Sequence, residues 1–216
     1  MPDIFDEVQE ELRAEKARKL GVRYGSMLAG AALLVLAGIG GWQGWRWHQE
    51  RQATEAAAVF LQAHRASEAQ GADLKAAGER FAAMADGAPE GYRILARLRA
   101  AALKAETGER EAALALWDQV AGDTAAPQLY RDHATLMWVL HGLDTQDPAV
   151  LAGRIAPLAA PGRAWSASAR ELQALVAIRR GEVAEAKRTL EALANDVTAP
   201  RGLRDRAARL AAGLGV

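Results

Sequence analysis

Cysteine is absent from this 216-residue sequence. Disulfide bonds, cysteine-ligated zinc, iron–sulfur clusters and thiol catalysis are therefore excluded. An excess of charge of one sign is also absent, because 27 basic residues balance 27 acidic residues. That balance argues against a nucleic-acid partner, which is usually bound through a large basic surface.

Motifs that carry catalysis are lacking as well. The sequence has no HExxH, no P-loop and no GxSxG motif, and it contains 4 histidines. His133 and His141 lie eight positions apart, two helical turns, which is too far to chelate one ion. We therefore expect no enzyme activity, no metal, no cofactor and no small-molecule substrate.

Residues that favour strands are sparse, whereas 51 of the 216 residues are alanine. Because alanine is the strongest helix former, the composition predicts an all-α protein.

A stretch of 22 residues between Arg23 and Arg46 carries no charge. As a helix it would be roughly 33 Å long at about 1.5 Å per residue, enough to cross the hydrocarbon layer of a membrane. A cleaved signal peptide would need a short basic start and a small-residue cleavage site, and neither is present. A buried core helix is the other alternative. We predict a transmembrane signal-anchor helix at 24–46.

Aromatic residues flank this stretch and predict membrane-interface anchors. They are Tyr24 at one end and Trp42, Trp45 and Trp47 at the other. The twenty residues before the span contain five Lys or Arg, and the twenty after it contain three. This bias predicts a single span with its N-terminus in the cytoplasm, a cytoplasmic segment at 1–23 and a periplasmic domain at 47–216.

The cytoplasmic segment has a narrow apolar stripe at Ile4, Phe5, Val8 and Leu12. This spacing is typical of an amphipathic helix. The segment is interpreted either as a solvated helical extension or as a docking helix for a cytoplasmic partner.

Glycine and proline recur at regular intervals after the span, between alanine- and leucine-rich stretches, and each is a natural helix stop. The predicted helices, taken in pairs, repeat every 36 to 38 residues, as in an α-solenoid of about four helix pairs plus a capping helix. They are expected at 48–70, 72–86, 90–106, 109–121, 127–142, 147–158, 164–180, 182–195 and 201–213.

Aligning the sequence with itself at an offset of 73 residues matches two of these pairs. Small residues fall where helices cross, glycine closes the first helix, and a large residue fills the next interface. The matched positions are Ala101 with Ala174, Gly108 with Gly181, Ala113 with Ala186, and Trp117 with Leu190. This pattern resembles the tetratricopeptide repeat, although the pair near 128–158 is degenerate and contains Pro157.

The first helix of each pair lines the concave side of such a stack. The residues expected there, as a protein-binding surface, are Leu95, Leu98, Leu175 and Ile178. Met137 and Trp138, a stripe on the predicted helix 127–142, are added to this surface. The alternative is that this stripe lies in the core.

The segments PDIFDEVQEELR, GGWQGWRW and LYRDHATLMW, together with the anchor and the repeats, resemble the YfgM-like ancillary subunits of the bacterial Sec translocon. The resemblance implies a single-pass protein of the bacterial inner membrane. It also implies translocon subunits and a membrane-anchored periplasmic chaperone as partners, in the handling of exported proteins. The alternative is a structural subunit of another inner-membrane complex, respiratory or for cell division. Gly40 and Gly44 favour that alternative, because a GxxxG pattern suits close packing of membrane helices.

Overall fold

The computed structural model describes residues 4–215, with side chains described from residue 18 onward except at 20, 26 and 28. Every regular element in that range is helical, which confirms the predicted all-α class. The α-helices are α1 (Ile4–Glu68), α2 (Leu74–Gly87), α3 (Glu90–Glu106), α4 (Arg110–Gly122), α5 (Gln128–Gly142), α6 (Pro148–Ile155), α7 (Ser166–Arg179), α8 (Val183–Ala194) and α9 (Arg201–Gly213).

The first helix differs from the prediction. A separate helix was expected at 48–70, but α1 runs through residue 47 without a break. No glycine or proline interrupts residues 45–68, and the ion pair between Arg46 and Glu50, one turn apart, supports the helix there. The predicted domain boundary between 46 and 47 therefore coincides with no helix end and stays a prediction. The apolar stripe of the 1–23 segment lies outside the described side chains.

The chain divides into two units, Met1–Thr54 and Glu55–Val216. In the second unit, consecutive helices from α2 to α9 contact one another. The first helices α3, α5 and α7 also touch in that order, and α7 touches the last helix, α9. Adjacent contacts plus contacts between alternate helices are the arrangement of stacked helical hairpins, so the predicted α-solenoid is confirmed.

Proline sets the start of several helices. Pro89, Pro127 and Pro200 stand directly before α3, α5 and α9, with φ close to −54°. Proline has no N–H and a φ that suits a helix start, so it opens a helix without losing a hydrogen bond. Asp73 and Asp147 cap α2 and α6 by accepting hydrogen bonds from Ala76 N and Ala149 N.

Two glycines close first helices in the same way. Gly108 has φ 84° and Gly181 has φ 79°. After each glycine, the next amide bonds a carbonyl five residues earlier: Glu109 N to Lys104 O at 2.8 Å, and Glu182 N to Ala177 O at 2.9 Å. This is the Schellman motif, whose left-handed residue is best supplied by glycine.

The second helix of the third pair is shortened. A helix was predicted at 147–158, but α6 ends at Ile155 and a 3₁₀ turn, Ala156–Ala159, follows. Pro157 lacks the N–H that an α-helix needs at that point, so the helix cannot continue in α form.

Three buried clusters fill the stack. Phe81 and Leu103 anchor the first, between α2 and α3, with Phe60 of α1 placed edge-on to Phe81 at 5.3 Å between ring centroids. Trp117, 1% exposed, lies in the central cluster, and Leu190 lies in the last. Each cluster joins neighbouring helices, so stability accumulates from one interface to the next.

The last helix closes the stack. α9 buries Leu203, Ala207 and Ala211 in the last cluster. Its side chains Arg201 and Asp205 are 88% and 57% exposed. A polar outer face lets the end of a repeat stack meet water, which is the role of a capping helix.

We expect Gly108→Ala and Gly181→Ala each to lower the free energy of unfolding by about 1–2 kcal/mol, because alanine is strained at positive φ. Gly91→Ala is the matched control: Gly91 lies exposed in α3, and the space that a β-carbon would take there is open. The control should be neutral or slightly stabilising. Urea denaturation of the full chain in detergent, followed by circular dichroism, measures all three. Equal effects at the three positions would contradict the assignment of the two turns.

Candidate protein-binding surface

The first helices α3, α5 and α7, continued by α9, form a row in which each contacts the next. Each second helix packs against the first helices before and after it along the chain. Residues of the row rest on the buried clusters that these helices share, which is the condition for a surface that recognises a partner by shape.

On α3, Leu95 and Leu98 are both half-buried, and Ala102 on the same face is exposed. Leu98 packs partly against the central cluster. Both predicted residues therefore contribute apolar area to the row, and Leu98 also rests on its core.

On α5 the exposed residues differ from those predicted. Trp138 is 7% exposed, so it is a core residue and offers little accessible surface. The guanidinium of Arg154 covers its ring at 3.9 Å from the centroid. Met137 is half-buried against the central cluster. Packing across the α5–α6 interface thus favours the core alternative for this stripe.

Two exposed leucines of α5 were missed by the sequence interpretation. Leu129 is 49% exposed and Leu140 is 40% exposed. They are eleven residues apart, three helical turns, so they lie on one face together with His133 and the buried Leu136. The eleven-residue spacing could have identified this face from the sequence. The sequence interpretation instead followed Met137 and Trp138, which lie on a different face.

On α7, Leu175 and Ile178 are half-buried, against the central and the last cluster respectively. Glu171 lies on the same helix and is buried at 7% exposure. Arg206 of α9 holds both of its carboxylate oxygens, at 2.5 and 2.6 Å. This bidentate pair ties the cap to the row and neutralises the carboxylate there.

The predicted packing residues lie inside the stack. The side chains with 1% exposure or less are Ala101, Ala113, Trp117, Ala174, Ala186 and Leu190. Gly108 and Gly181 form the exposed turns described above.

The predicted membrane anchors lie on α1 in the first unit. Tyr24 is 45% exposed, and Trp42, Trp45 and Trp47 are between 58% and 62% exposed. Arg46 lies over the Trp42 ring at 5.2 Å from the centroid. By length and composition, Gly21–Glu68 is the one helical stretch in the described part of the chain that could cross a membrane.

Two histidines of α5 are partly buried against tryptophan. His141 stacks on Trp117 with ring centroids 4.6 Å apart, and His133 lies 5.2 Å from Trp165. Burial lowers the pKa of both imidazoles below their ordinary value, with a smaller contribution from Arg110 at His141. Among the residues with described side chains, no group of three His, Asp or Glu is placed to hold a metal ion.

Comparison with known families matches the tetratricopeptide repeat-like domain to residues 22–207. The matched range begins before the uncharged stretch, so it takes in the apolar part of α1 as well as the helical stack. No curated protein and no solved structure matches the chain significantly.

We expect the free energy of unfolding to fall as the pH decreases from about 7.5 to about 5.5. The folded state lowers the pKa values of His133 and His141, so the unfolded state binds more protons below the ordinary value of 6.5. Stability is therefore fully present above that value and decreases as the pH falls toward the folded-state values.

Urea denaturation of the full chain in detergent at the two pH values measures the effect. The double substitution His133→Gln, His141→Gln should reduce the loss, whereas His48→Gln, on exposed α1, should leave it unchanged. The same loss in the double variant as in the wild type would contradict the prediction.

Proposed function

The chain belongs to the tetratricopeptide repeat-like domain family, and from that premise we propose that it is a membrane-tethered protein–protein interaction module of the bacterial envelope. Domains of this family generally mediate contacts between proteins. The observation that carries the proposal is the first-helix row, in which Leu129 and Leu140 expose apolar area on a firmly packed support. Such a surface suits an extended or helical apolar segment of a partner.

The tether is supported by the exposure of the apolar side chains of α1. Leu33, Leu34 and Leu36 are between 65% and 76% exposed within the first unit. In water this would be an unfavourable surface, whereas a lipid bilayer would cover it. The tryptophans at one end and the basic residues at the other suit a single span with its N-terminus in the cytoplasm.

The partners proposed are subunits of the Sec translocon and a membrane-anchored periplasmic chaperone, with a role in handling exported proteins. The support is the resemblance of three segments, including LYRDHATLMW in α5, to YfgM-like subunits. The repeat domain would then work in the periplasm as a binding scaffold without catalysis of its own.

The proposal is tested by photo-crosslinking in intact cells. A benzophenone amino acid replaces Leu129 or Leu140, and the crosslinked partners are identified by mass spectrometry. Val150 is the matched control, because it is 48% exposed but lies on α6, a second helix. We expect translocon or chaperone adducts from positions 129 and 140, and far fewer from 150.

Equal crosslinking from all three positions would contradict a binding role for the first-helix row. Adducts with a respiratory or cell-division complex, without translocon or chaperone, would contradict the proposed partners. That outcome would instead support a structural subunit of another inner-membrane complex.

A further inference from the structure

An open pocket of about 540 Å³ lies where the end of α4, the start of α5 and the end of α6 meet. Its volume falls in the range of about 300–1,000 Å³ that is typical of ligand-binding pockets. Three arginines and two aspartates line it, beside a smaller set of apolar residues. The charged residues are Asp118, Arg131, Asp132, Arg154 and Arg163.

Two of the arginines are fixed by the two aspartates. Arg154 Nη1 lies 2.5 Å from Asp118 Oδ1, and the Trp138 ring packs beneath its guanidinium. Arg163 Nη2 lies 2.9 Å from Asp132 Oδ1, whose side chain is 8% exposed. Each pair joins segments more than thirty residues apart, so both arginines are held in position before any ligand arrives.

The third arginine is not balanced by a carboxylate. Among the described side chains, the guanidinium of Arg131 bonds the amide oxygen of Gln128 and makes no ion pair. The Nη–H donors of Arg131 would bond a charged acceptor more strongly than the neutral amide oxygen of Gln128, so an anion in the pocket is favoured.

This pocket is separate from the exposed leucines of α5. Gln128, Asp132 and Thr135 line it, and at about 100° per residue they lie on a different side of the helix from Leu129 and Leu140. A ligand in the pocket would therefore not occupy the same surface as a partner on the first-helix row.

We propose that this pocket binds a carboxylate of a polypeptide, with Arg131 supplying the unpaired guanidinium and Arg154 and Arg163 shaping the rim. A planar guanidinium is suited to a carboxylate because it offers two parallel N–H donors. The apolar lining contributed by Pro157, Leu158 and Ala121 accommodates the small residues next to that carboxylate. The carboxylate comes either from an acidic side chain or from a chain terminus.

Isothermal titration calorimetry of the full chain in phosphatidylcholine nanodiscs tests this. The probe is a pentapeptide with one glutamate between alanines, acetylated and amidated at its ends. A second peptide carries glutamine and a free C-terminal carboxylate, and the neutral control carries glutamine with both ends blocked. At least one carboxylate peptide should bind about tenfold more tightly than the neutral control, which identifies the source of the carboxylate.

Arg131→Gln should remove that advantage, whereas Arg188→Gln, an exposed arginine of α8 outside the pocket, should keep it. Circular dichroism of each variant checks that the helices are retained. Absence of binding, equal binding of the three peptides, or an unchanged advantage in Arg131→Gln would overturn the proposal. None of these results would affect crosslinking from positions 129 and 140, so the two proposals fail independently.

Discussion

The stack depends on how closely its helices can cross. At the crossings of the second and fourth pairs stand Ala101, Ala113, Ala174 and Ala186, all buried at 1% exposure or less. A methyl group at each crossing lets the backbones approach, and the larger Trp117 and Leu190 then fill the space one turn further on. The many alanines of the sequence thus follow from the repeat, which offers such a crossing in each pair.

The third pair shows what happens when the repeat is imperfect. Pro157 ends the α-helical part of α6 early, and the open pocket lies beside that end. The ion pairs Arg154–Asp118 and Arg163–Asp132 connect the neighbouring segments around it. Within the third pair, α5 therefore carries the exposed leucines on one side and borders a charged pocket on another.

The helix ends could be read from the sequence because glycine and proline act locally. Pro127 and Gly108 determine a helix start and a helix end through their own backbone chemistry. Which side of a helix is buried depends on the rotation of the helix relative to its neighbours. Because alanine occurs on several faces of these helices, the sequence shows little difference in hydrophobicity between the buried and the exposed face. That is why both the surface and the core were left open for Trp138, and why Leu129 and Leu140 were missed. The pairing of Arg154 with Asp118 was not foreseen for the same reason.

The most direct test of the account compares two alanines of α8. Ala186 is completely buried in the last cluster, and Ala184 is exposed two residues earlier. If close crossing is the constraint, Ala186→Leu should lower the free energy of unfolding by about 1–3 kcal/mol through overpacking. Ala184→Leu should change it by less than about 0.5 kcal/mol, as is usual at the surface. Equal changes in urea denaturation of the two variants would contradict the account.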